Sequence, residues 1–509
     1  MRKEKIIIIG AGFGGLLCGA ILSKYKYQVT ILEKNKQTGG CLQGYGIDGQ
    51  LFEPAVHYLG SLDKGQTLYK ILNFLELIPQ LSIHKLDEDC FDKIIIEDKE
   101  YPFAQGYHHF VDQLAQYFPH QKEQLTRFVE DMQYTCRHFP LYHLEIGSAI
   151  KKRLVSHFSL KQKLDEHITD DTLKLVLAGN HLLYAGEENT TPFYVHALIE
   201  NSYIEGSWKC KKGSYQIVKA LESFIKKHHG EIIKNCDIIK IKENEGKIEY
   251  IENRKGQQFF ADYYISNLHP TKTFEILETS LVKKITKKRI AQLPNTLSAV
   301  MVNLTLQKEC IEYKNHNIYY HKNKNIWADL NQSNSSSENF NPNSFGVFYY
   351  QDPYHLKYAN RLSILCYMNH AYFTEWEKSF NINTKPTKPS RSESYFQFKT
   401  QIGMKIVEEI DKIIPHLKTS ISKIDISTPL TYRDYLNIPN GSMYGVKKNV
   451  NDLDQLALST KTKIKNLFLT GQNINMHGIL GVAITSILTS SELLGLNFLI
   501  DEINFANRK

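Results

Sequence analysis

The chain has 509 residues, 42% of them hydrophobic and 23% charged, with a formal net charge of +8. That is ample material for the cores of two or three domains, and 62 basic residues interspersed with 54 acidic ones, without an arginine-rich face, argue against a nucleic-acid partner. The 8 cysteines are scattered and form no C-x-x-C pair, so neither a metal site nor a disulfide framework is expected, and a reducing, cytoplasmic compartment is the simpler inference.

The first apolar run starts at Ile6 and is followed by glycines at turn spacing, so it reads as a strand and not as a signal peptide. Lys5 to Ile9 is an unbroken β-branched run, as expected of a strand buried on both faces of a parallel sheet. Gly10, Gly12, Gly14 and Gly15 follow, then a helix over 16–24 and a second strand over 28–32 that ends in Glu33. The G-x-G-x-x-G spacing predicts a dinucleotide cradle. Gly10 turns the chain, Gly12 lets backbone approach a pyrophosphate at the helix N-terminus, and Gly15 lets helix and strand pack. Glu33 is placed to accept from ribose hydroxyls, and its charge disfavours a 2′-phosphate.

Residues 61–204 and 271–425 read as mixed helix and strand, rich in Tyr, Phe, His and Leu. Two basic amphipathic stretches, 150–164 and 281–293, repeat apolar residues at helical spacing beside lysines and arginine. They are compatible with peripheral contact at an anionic membrane, and equally with solvated surface helices. Between 211 and 241 the chain predicts a turn, an amphipathic helix over 215–227 and a strand; another short strand is expected at 262–266. The breaker-rich stretches 331–344 and 381–394 predict mobile loops. Near the C-terminus a short apolar strand, 467–470, meets Gly471, and a helix opens at about Gly478. The 479–500 run carries Glu492 and Asn497, so a buried helix explains it better than a membrane span.

A nicotinamide domain would pass from Glu33 to its next helix. Here "EKNKQTGGCLQGYGIDGQLFEPAVHYLG" runs a second glycine pair, Gly39-Gly40, past the cradle. This resembles the second glycine motif of the FAD-dependent amine oxidase and carotenoid desaturase superfamily. "GGC", with Cys41 where many members have arginine, and the later "HYLG" are similar to the retinol saturase, carotenoid isomerase and phytoene desaturase branch. "GQNINMHG" at 471–478 strongly resembles the same branch. The resemblance covers the first 60 residues, about 205–270 and 428–496.

It implies an α/β fold: a Rossmann-type FAD-binding domain from 1–75, 205–270 and 425–509, interleaved with an α+β substrate domain from 76–204 and 271–424. FAD would meet Lys34 and Cys41 beside the cradle, the backbone near Ile238 at the adenine, and Gly471 and Gln472 near the ribityl chain. The C-terminal helix, with free N–H groups near Gly481, Val482 and Ala483, would point its positive end at the flavin ring. Tyr432 and Tyr444 would lie on the substrate side. His57 and His477 are candidates for acid–base work because imidazole titrates near neutrality; packed core residues are the alternative for each.

The implied activity is FAD-dependent oxidoreduction at carbon–carbon bonds of a long apolar polyene, with hydride passing at flavin N5. Desaturation, saturation and isomerisation stay open. One cradle implies an external electron donor or acceptor. Two alternatives remain: an amine- or porphyrinogen-oxidising flavoenzyme, and a prenyl carrier like the GDP-dissociation inhibitors.

Overall fold

The computed structural model describes residues 3–25, 27–47, 49–331, 340–385, 387–452 and 458–508. Five parallel strands form the first sheet: β1 (Lys5–Ile9), β2 (Gln28–Leu32), β3 (Glu231–Ile233), β4 (Tyr263–Ser266) and β5 (Leu467–Leu469), in the order β3-β2-β1-β4-β5. Register is fixed pairwise, with Ile8 beside both Ile31 and Ile265, and Ile265 beside Phe468. Ile6, Ile8, Ile31 and Ile265 are fully buried, which is why the strands read as continuous β-branched runs. Helices α1 (Phe13–Lys24), α2 (Tyr215–Lys227) and α3 (Gly478–Leu494) pack together on this sheet. Ser486 Oγ on α3 donates to the Gly14 carbonyl at 3.2 Å, so the two ends of the chain touch directly.

The second sheet is larger and mostly antiparallel. Its main path runs 421–427, 298–306, 358–368, 344–351, 317–321, 92–96 and 99–103. The 317–321 and 92–96 strands pair in parallel, joining segments far apart in sequence. Alternation along each strand gives this sheet two apolar faces. One, bearing Tyr319, Phe348 and Leu365, meets the Phe193–Ile204 helix; the other, bearing Val302, Val347 and Ile364, packs on the Glu393–Asp411 helix.

Three local expectations need correction. The 150–164 stretch forms two helices, Ala149–Ser156 and Leu160–His167, because Ser159 and Gln162 build a capping box that starts a new helix. The 381–394 stretch is irregular up to Glu393 but pinned: Arg391 bonds Asp434 at 2.6 Å with both side chains buried, and the Asn381 amide donates to the same carboxylate. The 331–344 stretch lies largely outside the described residues.

Removing one partner of a buried ion pair strands the other charge. Asp434→Ala is therefore expected to cost about 3–5 kcal/mol, read as a fall in the urea midpoint.

Candidate functional site: two clefts meeting at a helix terminus

Gly10 and Gly471 follow β1 and β5, the two strands that flank β4, with the same left-handed backbone, φ +97° in each, a conformation open to glycine. Gly10 N–H donates to Leu32 O at 2.8 Å and Thr470 N–H to Ser266 O at 2.9 Å, so the turns sit at the same edge of the sheet. The second glycine pair docks on the first loop, with Gly39 N–H donating to Ala11 O at 2.8 Å.

A cleft runs along this edge. Gly10, Gly12, Gly14, Gly39 and Gly40 line one part of it, with Cys41. Glu33, Lys34, Ile238, Gly471, Gln472 and Val482 line the rest. Gly15 does not line it: a Cβ there would lie 2.1 Å from the Gly10 carbonyl, so its role is close packing. Ala483 is also away from the cleft, fully buried in the core around α1.

The α3 amides are shifted from expectation. The helix starts at Gly478 with His477 as N-cap, so the four unpaired N–H groups belong to 477–480, a turn before 481–483. Gly481 is required for packing, because a Cβ there would lie 2.6 Å from Met476 Cβ.

Glu33 is buried. Its Oε2 accepts from Ala11 N–H at 2.8 Å and its Oε1 from Asn35 N–H at 2.9 Å. Burial raises its pKa against those two bonds, and each oxygen keeps a lone pair for a further donor. The Lys34 ammonium is bonded to the Asp434 carbonyl at 2.8 Å, and burial lowers it to about 8. Cys41 is held as the thiol, pushed by burial up to about 11.

The residue missed in the sequence is Asn267, which follows β4. Its Nδ2 donates to Gly10 O at 3.3 Å. A Cβ on Gly12 would fall 2.9 Å from Asn267 Nδ2, and Cβ atoms on Gly14 and Gly471 would fall 2.8 and 2.6 Å from its Oδ1. One carboxamide thus occupies the space that three glycines leave. The only local signal was an amide residue directly after a strand of the dinucleotide unit.

A second cavity, about 340 Å³, opens beside the first. Its wall is largely apolar, including Phe139, Leu198, Phe348, Leu365, Ile484 and Leu488, and it also takes in the start of α3 from His477 to Gly481. His57 and Tyr444 line it as well. The His57 ring stacks on Phe348 at 4.1 Å, its Nδ1 lies 2.7 Å from Tyr350 Oη, and its Nε2 has no partner. His477 Nε2 is likewise unpartnered, and its ring lies 4.9 Å from that of Tyr444. Burial pulls both imidazoles down to about 3, so they are neutral at physiological pH. The near-neutral titration that made them acid–base candidates is overturned. Tyr444 Oη donates to Leu182 O at 2.8 Å, and burial raises its pKa. Tyr432 does not line this cavity; it is buried, with its hydroxyl donating to Pro54 O at 3.0 Å.

A family profile described as "NAD(P)-binding Rossmann-like domain" matches residues 8–75. The chain is 23% identical to an all-trans-retinol 13,14-reductase of Danio rerio, over 99% of this chain and 88% of that protein. It is 23% identical to a 4,4′-diaponeurosporene oxygenase of Staphylococcus haemolyticus, over 94% of each chain. Along nearly its whole length the chain is thus similar to oxidoreductases named for retinoid and carotenoid compounds. The fold is matched by a solved oxidoreductase from Methanosarcina mazei, with a TM-score of 0.63, 17% identity, and 95% and 99% of the two chains covered.

Asn267→Ala empties the space between the glycine turns and leaves Gly10 O without its partner. It is expected to lower stability by about 1–3 kcal/mol and to reduce the cofactor retained on purification. Thermal unfolding and the absorbance of co-purified cofactor check both.

Proposed function

We propose that this chain is an FAD-dependent oxidoreductase acting on carbon–carbon bonds of a long, apolar, polyene-like molecule. One observation carries the reading. The dinucleotide cleft and the apolar cavity converge on one turn of α3, with Val482 on the first and His477 to Gly481 on the second. An elongated cofactor with phosphates at one end and a reactive ring at the other fits that arrangement.

The residues present suit FAD. The N-terminus of α1, free of side chains at Gly12, Gly14 and Gly15, would hold the pyrophosphate. Glu33 would accept from ribose hydroxyls, and backbone at Ile238 would flank the adenine. The unpaired amides of 477–480 would face the ring, where a helix terminus supplies roughly half a positive charge without an ionisable group. FAD, when bound, supplies hydride chemistry at its ring. The chain supplies the rest: an apolar wall that excludes water, neutral imidazoles that can accept hydrogen bonds, and a cavity shaped for a hydrophobic ligand. The relatives named above act on retinoid or carotenoid compounds by their printed names, which supports the substrate class. An external electron donor or acceptor completes the cycle.

The cavity's lining includes Gly147, Ser148 and Lys152. Around that mouth Ile146, Ile150, Leu154 and Phe158 are 51%, 70%, 62% and 41% exposed, among Lys151, Arg153 and His157. Exposed aliphatic side chains beside cations suit an anionic lipid surface, from which an apolar substrate could enter. No helix among the described residues is long and apolar enough to cross a membrane.

Purified protein is expected to be yellow, to release FAD on heating, and to bleach anaerobically when given its polyene. A colourless, flavin-free protein would favour the carrier alternative. His477→Ala should slow flavin reduction while FAD stays bound, checked by single-turnover absorbance.

Wild-type protein is expected to float with phosphatidylserine vesicles at low salt. The double change Ile150→Glu and Leu154→Glu should reduce flotation at least several-fold with FAD content unchanged.

A further inference from the structure

Hydrogen moved across a carbon–carbon bond travels as a hydride and a proton. His57 and His477, pulled down to about 3 by burial, are weak bases with no proton to give near neutral pH, and Tyr444 donates to a carbonyl. The cavity wall holds another set of groups. Tyr58 and Tyr319 both line it, with their hydroxyl oxygens 2.8 Å apart. Tyr58 Oη also lies 2.7 Å from Oδ2 of Asp92, which is fully buried. Tyr58 is therefore the middle of a chain that begins at a carboxyl and ends at Tyr319.

Both Asp92 oxygens have partners, but the groups around them leave buried acceptors unpaired. Asp92 Oδ1 accepts from Asn317 Nδ2 at 2.9 Å, and no cation pairs with Asp92 among the described residues. Asn180, which also bonds Asp92, donates its Nδ2 to Glu200 Oε2 at 2.9 Å. Glu200 is 2% exposed and is likewise unpaired with any cation among those residues. Asn180 Oδ1, Glu200 Oε1 and Asn317 Oδ1 are all buried acceptors without a donor. Two buried carboxyls without a cation, one of them with an orphaned oxygen, and two orphaned amide oxygens are costly to keep as anions and bare lone pairs. Protons on the carboxyls supply both charge balance and donors. Burial acts the same way, raising Asp92 to about 7 and Glu200 to about 8.

We propose that Asp92, acting through Tyr58 and Tyr319, is the proton store of this cavity, coupled through Asn180 to a second carboxyl, Glu200. The role in turnover rests on the function proposed above. In the saturating direction, a bound reduced flavin would supply the hydride, and with it two electrons, for one carbon. The Tyr319 O–H bond breaks as a C–H bond forms at the other carbon. Tyr58 passes its proton to Tyr319 and Asp92 passes its own to Tyr58, leaving an Asp92 carboxylate. In the desaturating direction each transfer reverses and Asp92 receives the proton. Tyr319 is the catalytic group; Tyr58 and Asp92 act through it.

Infrared spectroscopy of the purified protein near neutral pH tests the store. A protonated-carboxyl C=O band is expected that Asp92→Asn removes, and a second that Glu200→Gln removes. In anaerobic single turnover, flavin bleaching by the polyene should show a step near pH 7 in wild type. Asp92→Asn should abolish that step, and both Asp92→Asn and Tyr319→Phe should slow the rate by about 10²-fold or more. Tyr319→Phe should keep the Asp92 band and bind the polyene normally, which separates a chemical role from a folding defect. Carboxyl bands unchanged in Asp92→Asn and Glu200→Gln, or a wild-type rate and pH profile in Asp92→Asn or Tyr319→Phe, would overturn the proposal. If no polyene bleaches the wild-type flavin while the bands behave as stated, the substrate reading fails and the store stands.

Discussion

One carboxamide, Asn267, sits between two glycine turns separated by most of the chain. Its Nδ2 bonds the Gly10 carbonyl, and its Oδ1 fills the space where a Cβ on Gly14 or Gly471 would stand. The turns can lie this close because neither carries a side chain, and they stay close because β1, β4 and β5 pair in parallel beneath them. The N-termini of α1 and α3 both follow from that juxtaposition. Each helix starts where its strand's glycine turn or the short loop after it releases the chain, so both positive ends open toward the same region.

The two clefts use polarity differently. The dinucleotide cleft relies on backbone: glycine amides, the α1 terminus, and a Glu33 carboxylate held by two N–H groups. Its nearest lysine, Lys34, is turned to a carbonyl of the 429–436 helix. Fixed dipoles of this kind need no protonation state. The neighbouring cavity is apolar, and desolvation around it favours uncharged forms, lowering the pKa of His57 and His477 and raising those of Asp92 and Glu200. Low dielectric thus removes the obvious acid–base candidates and promotes less obvious ones.

Much of the first sheet could be read from the chain itself. Lys5–Ile9, Gln28–Leu32 and the Tyr215–Lys227 helix have the predicted bounds, because a strand buried on both faces demands a β-branched run and an amphipathic helix carries its own period. The cradle glycines and Glu33 were visible for the same reason: their spacing is set by a single local turn. The loop at 381–394 was misread because its order comes from Asp434, a contact that no local composition encodes. The α3 helix start at Gly478 was read correctly, but its unpaired amides were placed a turn late, since they are the first four from the N-cap at His477.

The sequence by itself therefore determined where the strands, glycine turns and helix starts fall, since each depends on residues a few positions apart. Tertiary structure alone decided that Asn267 would bridge Gly10 and Gly471, that Tyr432 would leave the cavity while Tyr58 and Tyr319 entered it, and that buried imidazoles would be neutral. Those outcomes depend on which distant segments exclude water from a group, and solvent exclusion belongs to the packed chain and to no stretch of it.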